Sequence, residues 1–244
     1  MKRVFTDLHL RLDLKDTSNA QRVIHKIAKL GYGLVGVPFW SEAKESEEAR
    51  LRIICREERI RLTSRVNLRP RTRGQLMNQL RRLRRKFEVI CVLCDSKEIA
   101  RQAAKDRRVD LLNFPATDYT RRFFDVAESE LASRSFVALE VDVKPLFVLQ
   151  GAARVRLLSC LRREILTAKE FHVPVVVSSG VSTELLLRKP MEVAAFTSLF
   201  GLDEVSGLDA VSINPLNIVD RNREKLTRGF VAPGIRVTKE GGDC

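Results

Sequence analysis

The stretch Val89-Ile-Cys-Val-Leu-Cys-Asp95 is apolar along its whole length until the final aspartate. A segment with helical periodicity, Ser96–Arg108, follows it directly. A strand that is apolar on both faces is typical of a parallel sheet covered by helices, whereas a half-exposed strand alternates apolar and polar residues. The stretch therefore predicts one β-strand followed by one α-helix of a parallel α/β fold.

The same succession of a short apolar run and a longer helical segment recurs along the chain. The other predicted strands are Val4–Leu10, Leu34–Phe39, Ile60–Leu68, Val109–Pro115, Phe136–Phe147, Val173–Ser178 and Leu208–Pro215. The other predicted helices are Asn19–Tyr32, Ser46–Arg59, Arg73–Phe87, Asp118–Ser133, Ala152–Phe171, Pro190–Phe200 and Asn217–Leu226. Eight such units predict a single (β/α)8 barrel of the TIM type. A doubly wound open sheet is the alternative, but no glycine-rich phosphate loop follows the first strand.

The chain has 244 residues and no low-complexity linker, which predicts one barrel domain over residues 1–231. Residues 232–244 are polar and glycine-bearing, and we expect them to form a flexible C-terminal tail. There is no apolar run of about 18 residues, so we expect no membrane partner. The first residues lack the apolar core of a signal peptide. We therefore expect a cytoplasmic protein, or a nuclear one if the cell has a nucleus.

Cys91 and Cys94 have the spacing of half a zinc site or of a redox motif. They lie inside the apolar run, however, and the sequence has no second pair of cysteines at this spacing to complete a zinc site. The chain has only three histidines to complete a ligand set. We therefore predict that both thiols pack in the core.

The positive charge of the chain is concentrated in one segment. Between Arg61 and Arg108 lie 15 Lys/Arg and 4 Asp/Glu, a local excess of 11 out of a net charge of +13. A clustered positive charge inside an otherwise balanced protein indicates a polyanionic partner. Most of these residues are arginines, whose planar fork binds phosphate with two hydrogen bonds.

The predicted third helix carries the densest part of this charge. Leu76, Leu80 and Leu83 fall on one face at 100° per residue, so this face is expected to pack on the barrel. Arg81, Arg82 and Arg85 then point away from the core. No acidic residue lies four positions from them to neutralise the row. A solvated helix face is the alternative to a nucleic-acid contact.

The residues needed for catalysis are sparse. His9, His25 and His172 are scattered, which is a poor basis for a metal cluster. The start Thr6-Asp7-Leu8-His9-Leu10-Arg11 resembles the opening motif of the polymerase-and-histidinol-phosphatase metal hydrolases, which have an Asp-Leu-His-x-His core. The resemblance implies a related barrel. Arg11 replaces the second histidine of the motif, so we predict no catalytic residue, no metal and no cofactor, and internal hydrogen bonds for Asp7 and His9.

Several motifs follow one another between residues 136 and 228. They are Lys144-Pro-Leu at the end of the sixth predicted strand, Ser178-Ser179 after the seventh, Arg188-Lys-Pro190, Leu199-Phe-Gly-Leu202 and Val211-Ser212. Their order and spacing resemble the protein component 3 family of archaeal and eukaryotic ribonuclease P. The family resemblance implies a barrel-shaped, noncatalytic RNA-binding subunit of an enzyme whose RNA removes the 5′ leader from precursor tRNA. It also implies ribonuclease P RNA, protein component 2 and precursor tRNA as partners.

Charge and resemblance together predict a set of residues that contact RNA: Arg65, Arg69, Arg71, Arg73, Arg81, Arg82, Arg85, Lys144, Ser178, Ser179 and Arg188. The last four are expected on one rim of the barrel. There they form either an anion pocket or an internal network that anchors the loop after Ser179. Two other functions remain open: a metal-dependent phosphoesterase of the related hydrolases, and a ribosome- or DNA-associated barrel.

Overall fold

The computed structural model describes residues 3–39, 45–227, 229–232 and 235–236. Within them, seven parallel strands lie in chain order in one sheet, so each pairs with its neighbours along the chain. The strands are β1 Thr6–Asp7, β2 Leu34–Pro38, β3 Arg61–Leu68, β4 Val89–Leu93, β5 Leu111–Asn113, β6 Ala138–Asp142 and β7 Val175–Ser178. Each lies within one of the apolar runs that predicted it.

Helices connect or follow the strands, and most of them pack on the outer face of the sheet. They are α1 Thr17–Lys29, α2 Glu45–Glu57, α3 Arg73–Leu83, α4 Lys97–Ala104, α5 Val126–Ser135, α6 Lys144–Val148, α7 Gly151–Glu170, α8 Pro190–Phe196, α9 Glu204–Ala210 and α10 Ile213–Lys225. Their buried faces and the outward side chains of the strands form the main hydrophobic core. The sixth predicted strand was too long, because α6 already begins at Lys144.

The sheet curls until its two edges meet. The Gly180 N–H donates to the carbonyl of His9 (3.0 Å), and the Arg11 N–H donates to the carbonyl of Val181 (2.8 Å). These bonds join the segments that extend β1 and β7, so the barrel is closed at the carboxyl ends of its strands. The predicted α/β barrel is confirmed, with seven strands.

The eighth predicted strand, Leu208–Pro215, is wrong. Its residues belong to the end of α9, a turn at Val211 and the start of α10. The Thr6 N–H donates to the carbonyl of Val211 (2.9 Å), so this turn lies beside β1, where an eighth strand would pair. A short apolar run has the same pattern in a buried strand and in closely packed helices.

Helix α10 fills the amino end of the barrel. Ile218 and Val219 pack inside it against one ring of interior side chains: Leu8, Leu34, Val89, Cys91, Leu111, Ala138 and Val176. Burial of such aliphatic side chains contributes roughly 1.5–3 kcal/mol each. Cys91 and Cys94 are fully buried, which confirms that they pack in the core. This ring of interior side chains at the amino end is therefore apolar.

The C-terminal segment adds a small hairpin. Strand β8, Phe230–Ala232, pairs antiparallel with β9, Ile235–Arg236. Part of the predicted tail is therefore paired, and residues 237–244 lie outside the described residues. The domain boundary at residue 231 stays a prediction. No helix in the described part of the chain has the length and apolar character needed to cross a membrane.

Candidate nucleic-acid interface and the barrel mouth

Helix α3 presents a row of arginines to solvent. The Thr72 side chain accepts a hydrogen bond from the Gln75 N–H and starts the helix, and Leu76, Leu80 and Leu83 are buried. The row of Arg81 and Arg82 at the end of α3 and Arg85 in the turn that follows is exposed at all three positions. Across the described residues, no salt bridge involves any of them. Their charges are therefore available to an external anion.

Arg84, in the same run, has a structural role. Its guanidinium donates to the carboxylate of Asp110 (2.5 Å) and to the carbonyls of Phe87 (2.7 Å) and Glu88 (2.8 Å). The contrast between Arg84 and its neighbours follows from helical periodicity, because Arg84 flanks the buried stripe of leucines. Its neighbours remain unpaired because they lie on the far side of the helix.

The basic surface continues into the loop between β3 and α3. Arg69 and Arg71 in the loop and Arg73 at the start of α3 are exposed, and their contact with RNA stays a prediction. A cavity of about 550 Å³ at this end of the barrel is lined by Arg69, Pro70, Arg71, Asp95, Ser96 and Arg121. Arg69 pairs with Asp95 at 2.5 Å, so part of its charge is neutralised within the protein. Arg71 and Arg73 form no salt bridge among the described residues.

Arg65 lies at the centre of the barrel, which corrects its prediction as an RNA contact. Its exposed fraction is 0%. Its Nη1 and Nη2 bind the two carboxylate oxygens of Glu140 at 2.5 and 2.6 Å. Nη1 also donates to the carbonyl of Leu8 (2.9 Å), and Nε donates to Asn67 Oδ1 (2.7 Å). The side chain therefore cannot reach a phosphate outside the barrel.

Glu140 is the acidic half of this centre. Besides the two bonds from Arg65, it accepts from Ser178 Oγ (2.8 Å), Asn113 Nδ2 (3.0 Å) and Cys91 Sγ (3.5 Å). Burial by itself would raise the pKa of Glu140, but the charge of Arg65 and its hydrogen bonds hold that pKa well below the usual range of a glutamate. Sequence reasoning missed Glu140, although a lone acidic residue in the run Val137–Val141 was a signal.

The same network orients His9. Because Arg65 donates to Asn67 Oδ1, the amide nitrogen of Asn67 faces His9 Nε2 at 3.0 Å. Nε2 then accepts this hydrogen bond, and the proton on Nδ1 is donated to Asp142 Oδ1 at 2.8 Å. Asp7 Oδ1 accepts from the backbone N–H of His9 and from that of Ser179. The internal hydrogen bonds predicted for Asp7 and His9 are confirmed.

His9, Glu140 and Asp142 are the metal-ligand cluster to test, because one donor atom from each lies within 4.8 Å of the others. Their present arrangement does not fit a divalent metal. The positive guanidinium of Arg65 occupies both oxygens of Glu140, and both ring nitrogens of His9 are already hydrogen-bonded. Metal-activated water is therefore not a step that this site supports.

The four rim residues gather at the carboxyl ends of β6 and β7, as predicted. The Lys144 N–H donates to the carbonyl of Ser179 (3.0 Å). Ser178 and Ser179 are buried, and Arg188 Nη1 donates to the carbonyls of Leu185 (3.1 Å) and Leu187 (2.9 Å). The guanidinium of Arg188 also stacks on the Phe147 ring, 5.2 Å from its centroid.

This geometry supports the internal network for three of the four rim residues. Ser178 and Ser179 as RNA contacts are corrected, because their hydroxyl groups are buried and bond inside the barrel. The Lys144 side chain is half-buried and makes no hydrogen bond or salt bridge among the described residues. Lys144 is the rim residue that remains able to bind an anion.

A cavity of about 220 Å³ opens above His9 and Asp142, next to Arg11, Asn113 and Arg122. Its charged groups are largely paired. The guanidinium of Arg122 binds both oxygens of Glu164, a second buried ion pair. With its carboxylates engaged in hydrogen bonds, the mouth lacks a free general base in the described part of the chain.

Comparison with known proteins places the chain in a family. The family model described as RNase P subunit p30 matches residues 4–227. Ribonuclease P protein component 3 of Methanosarcina barkeri is 34% identical over 168 residues, 69% of each chain. The protein of the same name from Methanosarcina mazei is 31% identical over 229 residues, 93% of each chain.

Solved structures share the fold. A chain in the cryo-EM structure of archaeal ribonuclease P with mature tRNA matches with a TM-score of 0.85 at 21% identity, covering 98% of this chain and 100% of that one. Histidinol phosphate phosphatase of Lactococcus lactis, solved with zinc, L-histidinol and phosphate, matches with a TM-score of 0.50 at 9% identity, covering 89% and 93%. From the match over residues 4–227, the chain belongs to the RNase P subunit p30 family.

Proposed function

We propose that this chain is a noncatalytic, RNA-binding subunit of ribonuclease P that assists the RNA of the enzyme in removing the 5′ leader from precursor tRNA. The observation that carries the proposal is the row of Arg81, Arg82 and Arg85 at the end of α3 and in the turn after it, exposed and without salt bridges among the described residues. Arginines placed in this way displace counterions from a phosphate backbone. The family implies pairing with protein component 2 within the holoenzyme.

The RNA-binding surface that we propose consists of Arg69, Arg71, Arg73, Arg81, Arg82 and Arg85, with Lys144 on the rim. Recognition by this set acts on the phosphate backbone and the shape of the RNA, because guanidinium groups dominate and aromatic residues make up only 6% of the chain. Positive side chains also allow RNA helices to approach one another, which magnesium ions otherwise permit. In a cell without a nucleus this work takes place in the cytoplasm.

A metal-dependent phosphoesterase is the second function that the fold allows, and the barrel mouth argues against it. Catalysis by a metal needs an open coordination position for water or substrate. Here the cation at the centre is Arg65, which donates hydrogen bonds and has no coordination position to offer. We therefore assign the chemistry to the RNA of the enzyme.

The test compares two triple variants that lose the same charge. The first, the α3 variant, is Arg81→Ala, Arg82→Ala and Arg85→Ala at the end of α3 and in the turn after it. The control is Arg134→Ala, Arg156→Ala and Arg163→Ala on α5 and α7, which are exposed as well. The affinity of each protein, together with protein component 2, for ribonuclease P RNA is measured between low and moderate salt. Each lost phosphate contact removes about 0.7–0.9 from the slope of log affinity against log salt.

The α3 variant is expected to lose roughly two units of slope and the control less than one. Equal slopes for the two variants would mean that total charge governs binding, and the proposed surface would then be wrong. Melting temperatures of both variants are measured alongside and are expected to change little, because exposed arginines, even one such as Arg134 that pairs at the surface, contribute little to stability.

A further inference from the structure

The barrel mouth has the donor atoms of a cation site and a cation of its own. We propose that the guanidinium of Arg65 takes the place of a divalent metal ion, and that His9, Glu140 and Asp142 form a latent metal site which Arg65 keeps closed. The ligand class is a divalent transition metal such as Mn²⁺, Co²⁺ or Zn²⁺. The inference is independent of RNA binding by α3.

The spacing of the donors fits a single ion. Donor atoms of His9, Glu140 and Asp142 lie within 4.8 Å of one another. Atoms that bind one metal at about 2.0–2.2 Å lie at most about 4.4 Å apart, so small side-chain movements close the site. One imidazole and two carboxylates are a ligand set that zinc, manganese and cobalt accept. His9 and Glu140 are buried, so the ion would be largely shielded from water.

The present arrangement is built around a positive charge. Glu140 collects two hydrogen bonds from Arg65, one each from Ser178 and Asn113, and a weak one from Cys91. A carboxylate buried to this extent needs a cation beside it or a proton on it. Arg65 is part of β3, so the positive charge that balances the Glu140 carboxylate cannot dissociate.

The backbone also makes room for Arg65. A Cβ atom added to Gly36 would lie 2.5 Å from the carbonyl oxygen of Leu8. That same oxygen accepts a hydrogen bond from Arg65 Nη1 at 2.9 Å. Glycine on β2 therefore lets the Leu8 carbonyl take the position from which it serves as an acceptor for the guanidinium. The arginine is thus held by neighbouring strands as well as by Glu140.

The presence of a guanidinium where a metal ion would bind has a chemical consequence. A bound metal accepts lone pairs and can activate a water molecule, whereas a guanidinium only donates hydrogen bonds. Arg65 balances the charge of the carboxylates without offering a position for a nucleophile. The barrel keeps its electrostatic balance, and the centre is closed to metal-dependent chemistry.

The experiment opens the site by substitution. Arg65→Ala is titrated with Co²⁺, and the visible absorbance of the bound ion is recorded together with the melting temperature. The expected result is one equivalent of Co²⁺ bound at least about 100-fold more tightly than by the unmodified protein, with a higher melting temperature in its presence. Mn²⁺ and Zn²⁺ are expected to raise the melting temperature in the same way.

Two further variants make the result specific. Arg65→Lys keeps a cation at the centre and is expected to bind no Co²⁺ there. Arg65→Ala combined with His9→Ala removes one donor and is expected to lose the tight equivalent. If Arg65→Ala does not fold alone, recovery of folding on addition of Co²⁺ supports the proposal. No recovery, or Co²⁺ binding that survives His9→Ala, overturns it.

Discussion

Arg65 and Glu140 face each other across the interior of the barrel, from β3 and β6, and both side chains are fully shielded from solvent. The contact is bidentate, with N–O distances of 2.5 and 2.6 Å. The pair joins strands that are 75 residues apart in the chain. A basic residue from the most positively charged segment of this protein is therefore part of its structural centre rather than of its surface.

Breaking this pair is expected to be costly. Glu140→Leu leaves the guanidinium buried without its partner, and loss of one member of a buried pair typically costs about 3–5 kcal/mol. The double variant Arg65→Met with Glu140→Leu removes both charges and is expected to recover much of that loss. Urea unfolding of the three proteins measures the difference. A single variant that loses less than about 1 kcal/mol would contradict the role of the pair.

Substitution of two glycines distinguishes the effect of close packing from the effect of helix propensity. Gly36→Ala places a Cβ against the Leu8 carbonyl, so we expect destabilisation of about 1–3 kcal/mol. Gly74→Ala is the matched control, since Gly74 lies in α3 and a Cβ there meets nothing within 4 Å. It is expected to stabilise the protein by up to about 1 kcal/mol. Equal effects in thermal unfolding would show that Leu8 adjusts freely.

Glu128 on α5 is expected to make stability depend on pH near neutrality. Burial and the neighbouring Asp125 carboxylate raise the pKa of Glu128 to about 7. The folded protein therefore holds a proton that the unfolded chain releases near pH 4.5, so this group favours folding less as pH rises from about 5 to 7. Glu128→Gln, which mimics the protonated form, is expected to gain stability relative to the unmodified protein across that range.

The control for Glu128 is Glu130→Gln on the same helix. Glu130 pairs with Arg134 at the surface, where both side chains are at least half exposed. Its substitution is expected to change the free energy of unfolding by less than about 1 kcal/mol, because exposed pairs contribute little. If the free energy of unfolding of Glu128→Gln changes with pH in parallel with that of the unmodified protein, Glu128 is not the source of the pH dependence.

Lys144 and Ser178 are neighbours on the rim with different expected roles. Lys144→Ala should weaken RNA binding at unchanged melting temperature, because its side chain has no hydrogen bond or salt bridge among the described residues. Ser178→Ala removes a hydrogen bond to Glu140 and should cost about 1–3 kcal/mol of stability at unchanged RNA affinity. RNA-binding curves and melting curves are measured for both variants. The two roles are wrong if Lys144→Ala lowers only the melting temperature and Ser178→Ala lowers only the RNA affinity.

The isolated protein is expected to leave phosphoesters intact, even with Mg²⁺, Mn²⁺ or Zn²⁺ added. The reason is that Arg65 holds both oxygens of Glu140 and that both ring nitrogens of His9 are engaged. The assay follows a model phosphodiester over hours at high protein concentration. Turnover that disappears in His9→Ala but persists in Arg81→Ala would contradict the noncatalytic assignment.

The amino-acid sequence by itself determined the local elements of this protein. The apolar runs that end at Pro38 and Leu93 are strands because their side chains are covered on both faces, and such runs are recognisable without any partner. The outward direction of Arg81 and Arg82 followed from the leucine periodicity of α3 in the same way. In both cases the deciding interactions lie within a few residues along the chain.

The tertiary structure alone decided which polar side chains face the interior. Arg65 is one arginine among many by composition, and only the opposite strand, which carries Glu140, makes its burial favourable. The run around Val211 forms helix ends and a turn because α10 seals the barrel at that position. These outcomes depend on the closure of seven strands and on charge compensation between distant residues, and neither leaves a periodic signal in the sequence.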